Sequence, residues 1–166
     1  MRREGKRRGS RSRIMSAIKK KDTRPELAIR RVLHYAGYRY VLHRRDLPGT
    51  PDLVFPSRRL AMFVNGCFWH QHLGCRLAKQ PKSRPEYWLP KLRRNVARDR
   101  RVRSQLRRLG WRVVVIWECE IAYNSELSRR LARAVCPSTE TKTAGYRKCL
   151  ERIRQSVDHV CGKTRV

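Results

Sequence analysis

The sequence predicts an α/β sandwich built around one sheet, and three observations carry that prediction. Patterns of helical and strand period succeed one another in the order helix, strands, helix, strand and helix. The run Val113 to Trp117 is continuously apolar and β-branched, the character of a strand buried on both faces. At 166 residues the chain is long enough for one hydrophobic core and too short for two.

The elements follow in order. Met1 to Lys21 carries ten basic residues against one acidic residue, with Gly and Ser interspersed and almost no apolar periodicity; residues 1–15 read as a flexible basic arm that tracks phosphates, and Met15 is an alternative start. Thr23-Arg24-Pro25-Glu26 is a capping box with proline in the first turn. It opens a helix that runs to about Ala36, with Leu27, Ile29, Val32, Leu33 and Ala36 on its apolar face, and stops at Gly37. Tyr38 to His43 alternates like a strand, Leu47 to Thr50 is turn chemistry, and Asp52 to Phe55 with Leu60 to Val64 form a hairpin. After a proline-rich loop from Gln80 to Pro85, Leu89, Leu92, Val96, Val102, Leu106 and Leu109 mark a long helix whose outer face is almost solid arginine, ended by Gly110. The strand Trp111 to Trp117 and a helix over Ser125 to Val135 complete a domain spanning 16–136. Residues 137–166 read as a polar tail with a weak helical pattern from Gly145 to Val157.

Forty-two Lys and Arg against thirteen Asp and Glu give a net charge of +29. Both a phosphodiester backbone and an anionic bilayer reward clustered basic residues. The membrane reading lacks its apolar half, because no apolar run is longer than that of Val113 to Trp117, which falls far short of a span. No secretory segment follows the basic N-terminus, so nothing indicates export and the expected compartment is the cytoplasm. In that compartment the six cysteines argue against a disulfide framework and toward metal ligation where the spacing suits it. Cys136, Cys149 and Cys161 have no ligand-like spacing and are expected to be incidental.

Gly66 to Cys75 packs two cysteines and two histidines into ten residues. Cys67, His72 and Cys75, joined by the distant Cys119 at the end of the last strand, make a closed tetrahedral zinc set of the structural type. The bland alternative is a group of unrelated core cysteines. His70 rivals His72 as a ligand; left free beside the metal loop, it suits general acid/base chemistry near neutral pH, or a merely exposed position. Pro51-Asp52 at a strand start places a carboxylate where it can hold a hard cation, although a lone Pro-Asp is more often a turn feature.

Pro48-Gly49-x-Pro51-Asp52-Leu53-Val54-Phe55, Phe63-Val64-Asn65-Gly66-Cys67-Phe68-Trp69-His70, Arg84-Pro85-Glu86-Tyr87-Trp88, Gly110-Trp111-Arg112-Val113 and Trp117-Glu118-Cys119 together resemble the very short patch repair DNA mismatch endonucleases. The resemblance runs from about Ser16 to Glu120. It implies a restriction-endonuclease-like three-layer sandwich with a central mixed sheet and a structural zinc site. The implied activity is a magnesium-dependent nick in double-stranded DNA, 5′ to the T of a T:G mismatch, initiating very short patch repair of deaminated 5-methylcytosine by a monomer.

By the same resemblance Asp52 and the main-chain carbonyl of Val64 hold magnesium, His70 is the general acid/base, and Glu26 supports the hydrated metal. Cys67, His72, Cys75 and Cys119 hold zinc. Phe68, Trp69 and Trp88 are candidate wedges, since apolar side chains inserted into a stack open it most cheaply where pairing is poor. The sequence departs from the family in two places: Asn65 stands where histidine is common, and the interval from His72 to Cys75 is one residue longer. Met62-Phe63-Val64 also lacks the acidic-x-Lys motif of the wider superfamily, which weighs against the alternative of a sequence-specific restriction-type endonuclease. A non-catalytic zinc-stabilised DNA-binding module is the other alternative.

Overall fold

The computed structural model describes residues 21–81, 83–123, 126–136 and 144–162. The arm expected over 1–15, Ser125 and parts of the expected tail, 137–143 and 163–166, lie outside the described residues. Helix α1 (Arg24–Tyr35) starts as the capping box requires. The Thr23 hydroxyl donates to Glu26 Oε1 at 2.9 Å and accepts the Glu26 N–H at 3.4 Å, while Glu26 Oε2 accepts the Asp22 N–H at 3.0 Å. Ile29, Val32, Leu33 and Ala36 are buried as expected, whereas Leu27 is exposed.

Strands β1 (Val41–Leu42), β2 (Leu53–Phe55), β3 (Leu60–Asn65) and β4 (Arg112–Trp117) form a sheet in that order. β1/β2 and β2/β3 pair antiparallel and β3/β4 pair parallel, which makes the sheet mixed. Side chains alternate with period two. Leu53, Phe55, Leu60, Met62 and Val64 face a large core shared with α1, α4 (Leu127–Val135) and α5 (Ala144–Cys161). Val54 and Ala61 face a smaller core with Leu47 and Leu106, closed by the long helix α2 (Pro85–Arg108). The result is three layers: α2, the sheet, and α1 with α4 and α5.

Four expectations need correction. The strand expected over 38–43 shrinks to Val41–Leu42, because Tyr38 turns into the large core and His43 takes a left-handed φ of 46° that ends the pairing. β4 is not buried on both faces: it is an edge strand, and of its residues only Ile116 is fully buried. The weak helical pattern over 145–157 is a full helix, α5, whose Tyr146, Cys149, Ile153, Val157 and Cys161 join the large core against α1 and α4. Cys136 and Cys149 are not incidental, for a disulfide ties the end of α4 to α5, and the Tyr38 hydroxyl lies 2.8 Å from Cys149 Sγ. A short helix α3 (Glu118–Tyr123) follows β4 directly.

The turn at 47–50 is pressed against α2. Gly49 has φ +75°, and a Cβ there would stand 2.4 Å from Val102 Cγ1, so both the conformation and the contact demand glycine. This close approach brings the residues before β2 alongside α2 and closes a cleft between them.

Candidate functional site

That cleft, about 400 Å³, is lined by residues of α1, the 49–52 turn, β3, the loop after it and α2, among them Glu26, Asp52, Val64, Asn65, His70 and Asp99. Asp52 precedes β2 by one residue, and its Oδ2 accepts the Val64 N–H across the β2/β3 pair at 2.8 Å. The carboxylate is therefore fixed beside the Val64 main chain. Burial pushes the Asp52 carboxyl up to about 6; the nearby Glu26 carboxylate adds to the rise, and the Val64 hydrogen bond, Arg30 and His70 oppose it. A half-buried carboxylate with a second one close by is compensated by a proton or by a cation, and hard oxygen donors of this kind fit a magnesium-type ion.

His70 sits in the loop that leaves β3. Its Nδ1 lies 2.5 Å from Asp99 Oδ2, and the two side chains are about one-fifth exposed (21% and 18%). A carboxylate at Nδ1 favours the proton there and leaves Nε2 as the free ring nitrogen, the arrangement that prepares an imidazole to take a proton. Asp99 is held from its other side by Arg98 at 3.6 Å.

The same loop turns back through His70 N–H to Gly66 O and His72 N–H to Cys67 O, with Gln71 at φ +48°. This folding gathers Cys67, His72, Cys75 and Cys119 so that all four donor atoms lie within 4.8 Å of one another. His72 Nδ1 is 3.7 Å from Cys67 Sγ and 3.2 Å from Cys119 Sγ. Zinc–sulfur bonds near 2.3 Å in a tetrahedron put donors about 3.5–3.8 Å apart, and three thiols and an imidazole gathered to about that spacing are a donor set that could hold such a metal. The His72 ring is fixed by stacking on Trp117, 4.2 Å away and 7° from parallel. Asn65 and Trp117 are register partners, so Cys67 and Cys119 close off the same end of the β3/β4 pair.

Directly before His70 in the loop, Phe68 and Trp69 form a cluster with Trp88 of α2, with centroid separations of 5.0, 5.8 and 5.9 Å, extended by Tyr87 at 5.1 Å from Trp88. None of the four belongs to either core. Lys91 Nζ lies 5.4–5.6 Å from the rings of Trp69, Tyr87 and Trp88, and Asn95 donates to the Trp69 carbonyl at 3.1 Å.

Comparison with known proteins decides the family. The family model for DNA mismatch endonuclease Vsr matches residues 6–76. The chain is similar to the Type II nicking enzyme V.XorIIP of Xanthomonas oryzae, at 54% identity over 125 residues covering 75% of this chain and 91% of the relative. It is similar to the DNA mismatch endonuclease Vsr of Escherichia coli, at 41% over 132 residues (76% and 84%), and to the Type II nicking enzyme V.NmeAIP of Neisseria meningitidis, at 36% over 125 residues (75% and 89%). The chain belongs to the Vsr family of DNA mismatch endonucleases. It is thus a DNA endonuclease, and a reading as a non-catalytic binding module is set aside.

Within this Vsr-family site, Glu26 is the least free of the expected residues. It is buried, its oxygens are engaged by Thr23 and by the Asp22 N–H, and Arg30 Nη2 reaches Oε2 at 3.1 Å. Asp22, Glu26 and His43 have donor atoms close enough for a metal, but Arg30 already serves all three, bonding Asp22 and lying 2.8 Å from His43 Nε2. The guanidinium only donates, so Nε2 accepts, and the group carries an internal cation rather than a metal.

The structure brings Asp52, Val64 and His70 to one cleft and the four zinc candidates to one point, and it adds Asp99 and Arg30, which the sequence reading missed. Asp99 had a signal: it lies three residues from both Val96 and Val102 on the inward stripe of an otherwise arginine-rich helix. Arg30, one of many arginines, had none.

Proposed function

We propose that this Vsr-family endonuclease nicks double-stranded DNA 5′ to the T of a T:G mismatch, as a monomer. The observation that carries the reading is the union of two features on one face. Asp52 and the Asp99-supported His70 open onto a single cleft, and an aromatic cluster that belongs to neither core stands beside it.

In this reading Asp52 and the Val64 carbonyl hold magnesium, and Glu26 supports its hydration shell from α1. When bound, magnesium supplies charge neutralisation at the phosphate and the leaving oxygen. His70 Nε2 takes the proton of the attacking water, while Asp99 keeps the ring in the required tautomer and stabilises the imidazolium that results. Zinc on Cys67, His72, Cys75 and Cys119 fixes the loop that carries His70, Phe68 and Trp69. Those two rings and Trp88 enter the stack at the mismatch, where unstacking costs least. Lys91, held over the rings, brings positive charge to the same place.

The deciding experiment labels each strand separately and incubates T:G and matched T:A duplexes with magnesium. A nick confined to the T strand of the mismatched duplex supports the reading; cleavage of both strands, or equal nicking of the matched duplex, refutes it. The second outcome would favour nicking without a mismatch requirement, a reading supported by the name of the Xanthomonas relative, which carries nicking alone.

A further inference from the structure

Several arginines around the sheet have structural work. Arg59 donates to the carbonyls of Leu109 and Gly110 at 2.5 and 3.2 Å, Arg112 to that of Ala134 at 3.2 Å, and Arg130 to that of Val115 at 2.8 Å; Arg44 pairs with Asp46 at 2.8 Å. The C-terminal half of α2 is different. Arg100, Arg103, Ser104, Arg107 and Arg108 line an open groove of about 680 Å³. Among the described residues no carboxylate pairs with any of these arginines, and the one bond that holds them is a long one, 3.4 Å from Arg108 to the Ser104 hydroxyl.

Like charges three and four residues apart on a helix repel, and Arg100, Arg103 and Arg107 stand at those spacings. A polyanion relieves that repulsion, and the place of the groove says which one. Arg103 lines both this groove and the catalytic cleft, so the basic surface is continuous with the site of the scissile phosphate. At 1.5 Å per residue, Arg100 to Arg108 covers about 12 Å. One DNA strand advances 3.4 Å of axis per phosphate, so the groove matches about three successive phosphates.

We infer that the Arg100–Arg108 groove is a second binding site for the duplex, an exosite that grips the phosphodiester backbone several nucleotides to one side of the nick. The inference rests on the endonuclease reading above. It assigns to α2 two overlapping tasks: the stretch from Arg98 to Arg103 lines the cleft, and the arginines from Arg100 to Arg108 hold the flank. The flank contact carries no sequence information, since phosphates position a protein without specifying bases.

The test is a binding titration of the full chain, without magnesium, on T:G duplexes with long flanks and on duplexes trimmed to a few base pairs on one side or the other. The wild-type protein should lose at least tenfold in affinity on trimming one particular flank and little on trimming the other. Arg100→Gln/Arg107→Gln/Arg108→Gln, three exposed positions, should abolish that asymmetry and make the slope of log affinity against log salt shallower by about 2 to 3, at about 0.9 per phosphate contact. The corresponding triple lysine variant should restore both, because a point charge suffices for a phosphate. Wild-type affinity indifferent to both flanks, or a glutamine variant with unchanged asymmetry and slope, overturns the exosite. So does loss of binding to vesicles containing phosphatidylserine with DNA binding intact, which would make the groove a membrane contact. The readout is binding, so a wild-type protein that binds with the expected asymmetry but nicks nothing refutes the functional reading and not the exosite.

Discussion

Asp52→Asn should make the protein more stable while abolishing nicking. Asparagine keeps an oxygen for the Val64 N–H, which Asp52 now accepts at 2.8 Å, and removes only the charge. An unfolded aspartate titrates near 3.8, and burial raises Asp52 to about 6 in the fold. A raised carboxyl pKa means that the folded state binds the proton more tightly than the unfolded chain does. Its ionisation therefore costs nothing below about pH 3.8, and stability is lost as pH rises through about 6. Multiplying the gap between those values by 1.36 kcal/mol per pH unit gives about 3 kcal/mol at pH 8, falling to about half at pH 5. In a chain of this size that corresponds to roughly 6–12 °C in melting temperature. Urea unfolding of both proteins at pH 5 and pH 8, without added divalent cation, reads the difference directly. Magnesium should then raise the stability of the wild-type protein and leave the variant unmoved, since only the carboxylate attracts the ion. A variant no more stable than wild type at pH 8 would refute the reasoning, because burial would then not be what raises Asp52.

Asp99→Asn should lower the single-turnover nicking rate by roughly 10²-fold with little change in DNA affinity, and His70→Ala by ~10²–10⁴-fold; an Asp99 variant of normal rate would reduce that residue to packing. Cys119→Ser should lose zinc, measured by elemental analysis, together with stability, because metal binding is part of the folding free energy; full zinc content with unchanged melting would show that Cys119 is not a ligand. Trp69→Ala and Trp88→Ala should weaken binding to a T:G duplex much more than to a matched one, measured by parallel titrations; equal weakening of both would make the rings general contact area.

How legible each element was depended on whether its signal was local. The capping box at Thr23 to Glu26 carries its boundary in adjacent residues, and α1 begins where the sequence places it, whereas α2 begins at Pro85, inside what reads as a proline-rich loop, because proline suits the first turn of a helix as well as it suits a loop. The zinc candidates Cys67, His72 and Cys75 were legible as spacing; Cys119 joined them only as the thiol that completes a tetrahedral set, since nothing in the run around it says that β4 ends beside β3. Asp99 and Arg30 act through partners 29 and 13 positions away, His70 and His43, and such pairings appear only when the chain is folded. The same holds for α5. Its apolar residues are too sparse to look like a core stripe, yet between α1 and α4 they suffice, and the Cys136–Cys149 link is invisible to any argument from compartment. The reading of Trp111 to Trp117 failed for a different reason: apolar content tells how well a strand could be covered, and an edge position decides how much of it is.

The register of β3 with β4 has a consequence for how the chain reaches this structure. Parallel neighbours cannot be joined by a tight turn, and here the whole of α2 lies between them. Pairing them means closing a long loop before any ladder bond repays it, the kind of non-local step that slows folding. Three of the four proposed zinc ligands lie within nine residues at the end of β3, so an unfolded chain can already hold the ion loosely and needs only Cys119 to arrive. Zinc would then act as a catch as well as a staple: the first encounter between the two strand ends is kept instead of lost, while the ladder from Leu60 to Asn65 closes behind it. Denatured protein given zinc before dilution should refold faster than protein given zinc afterwards, although both end in the same place.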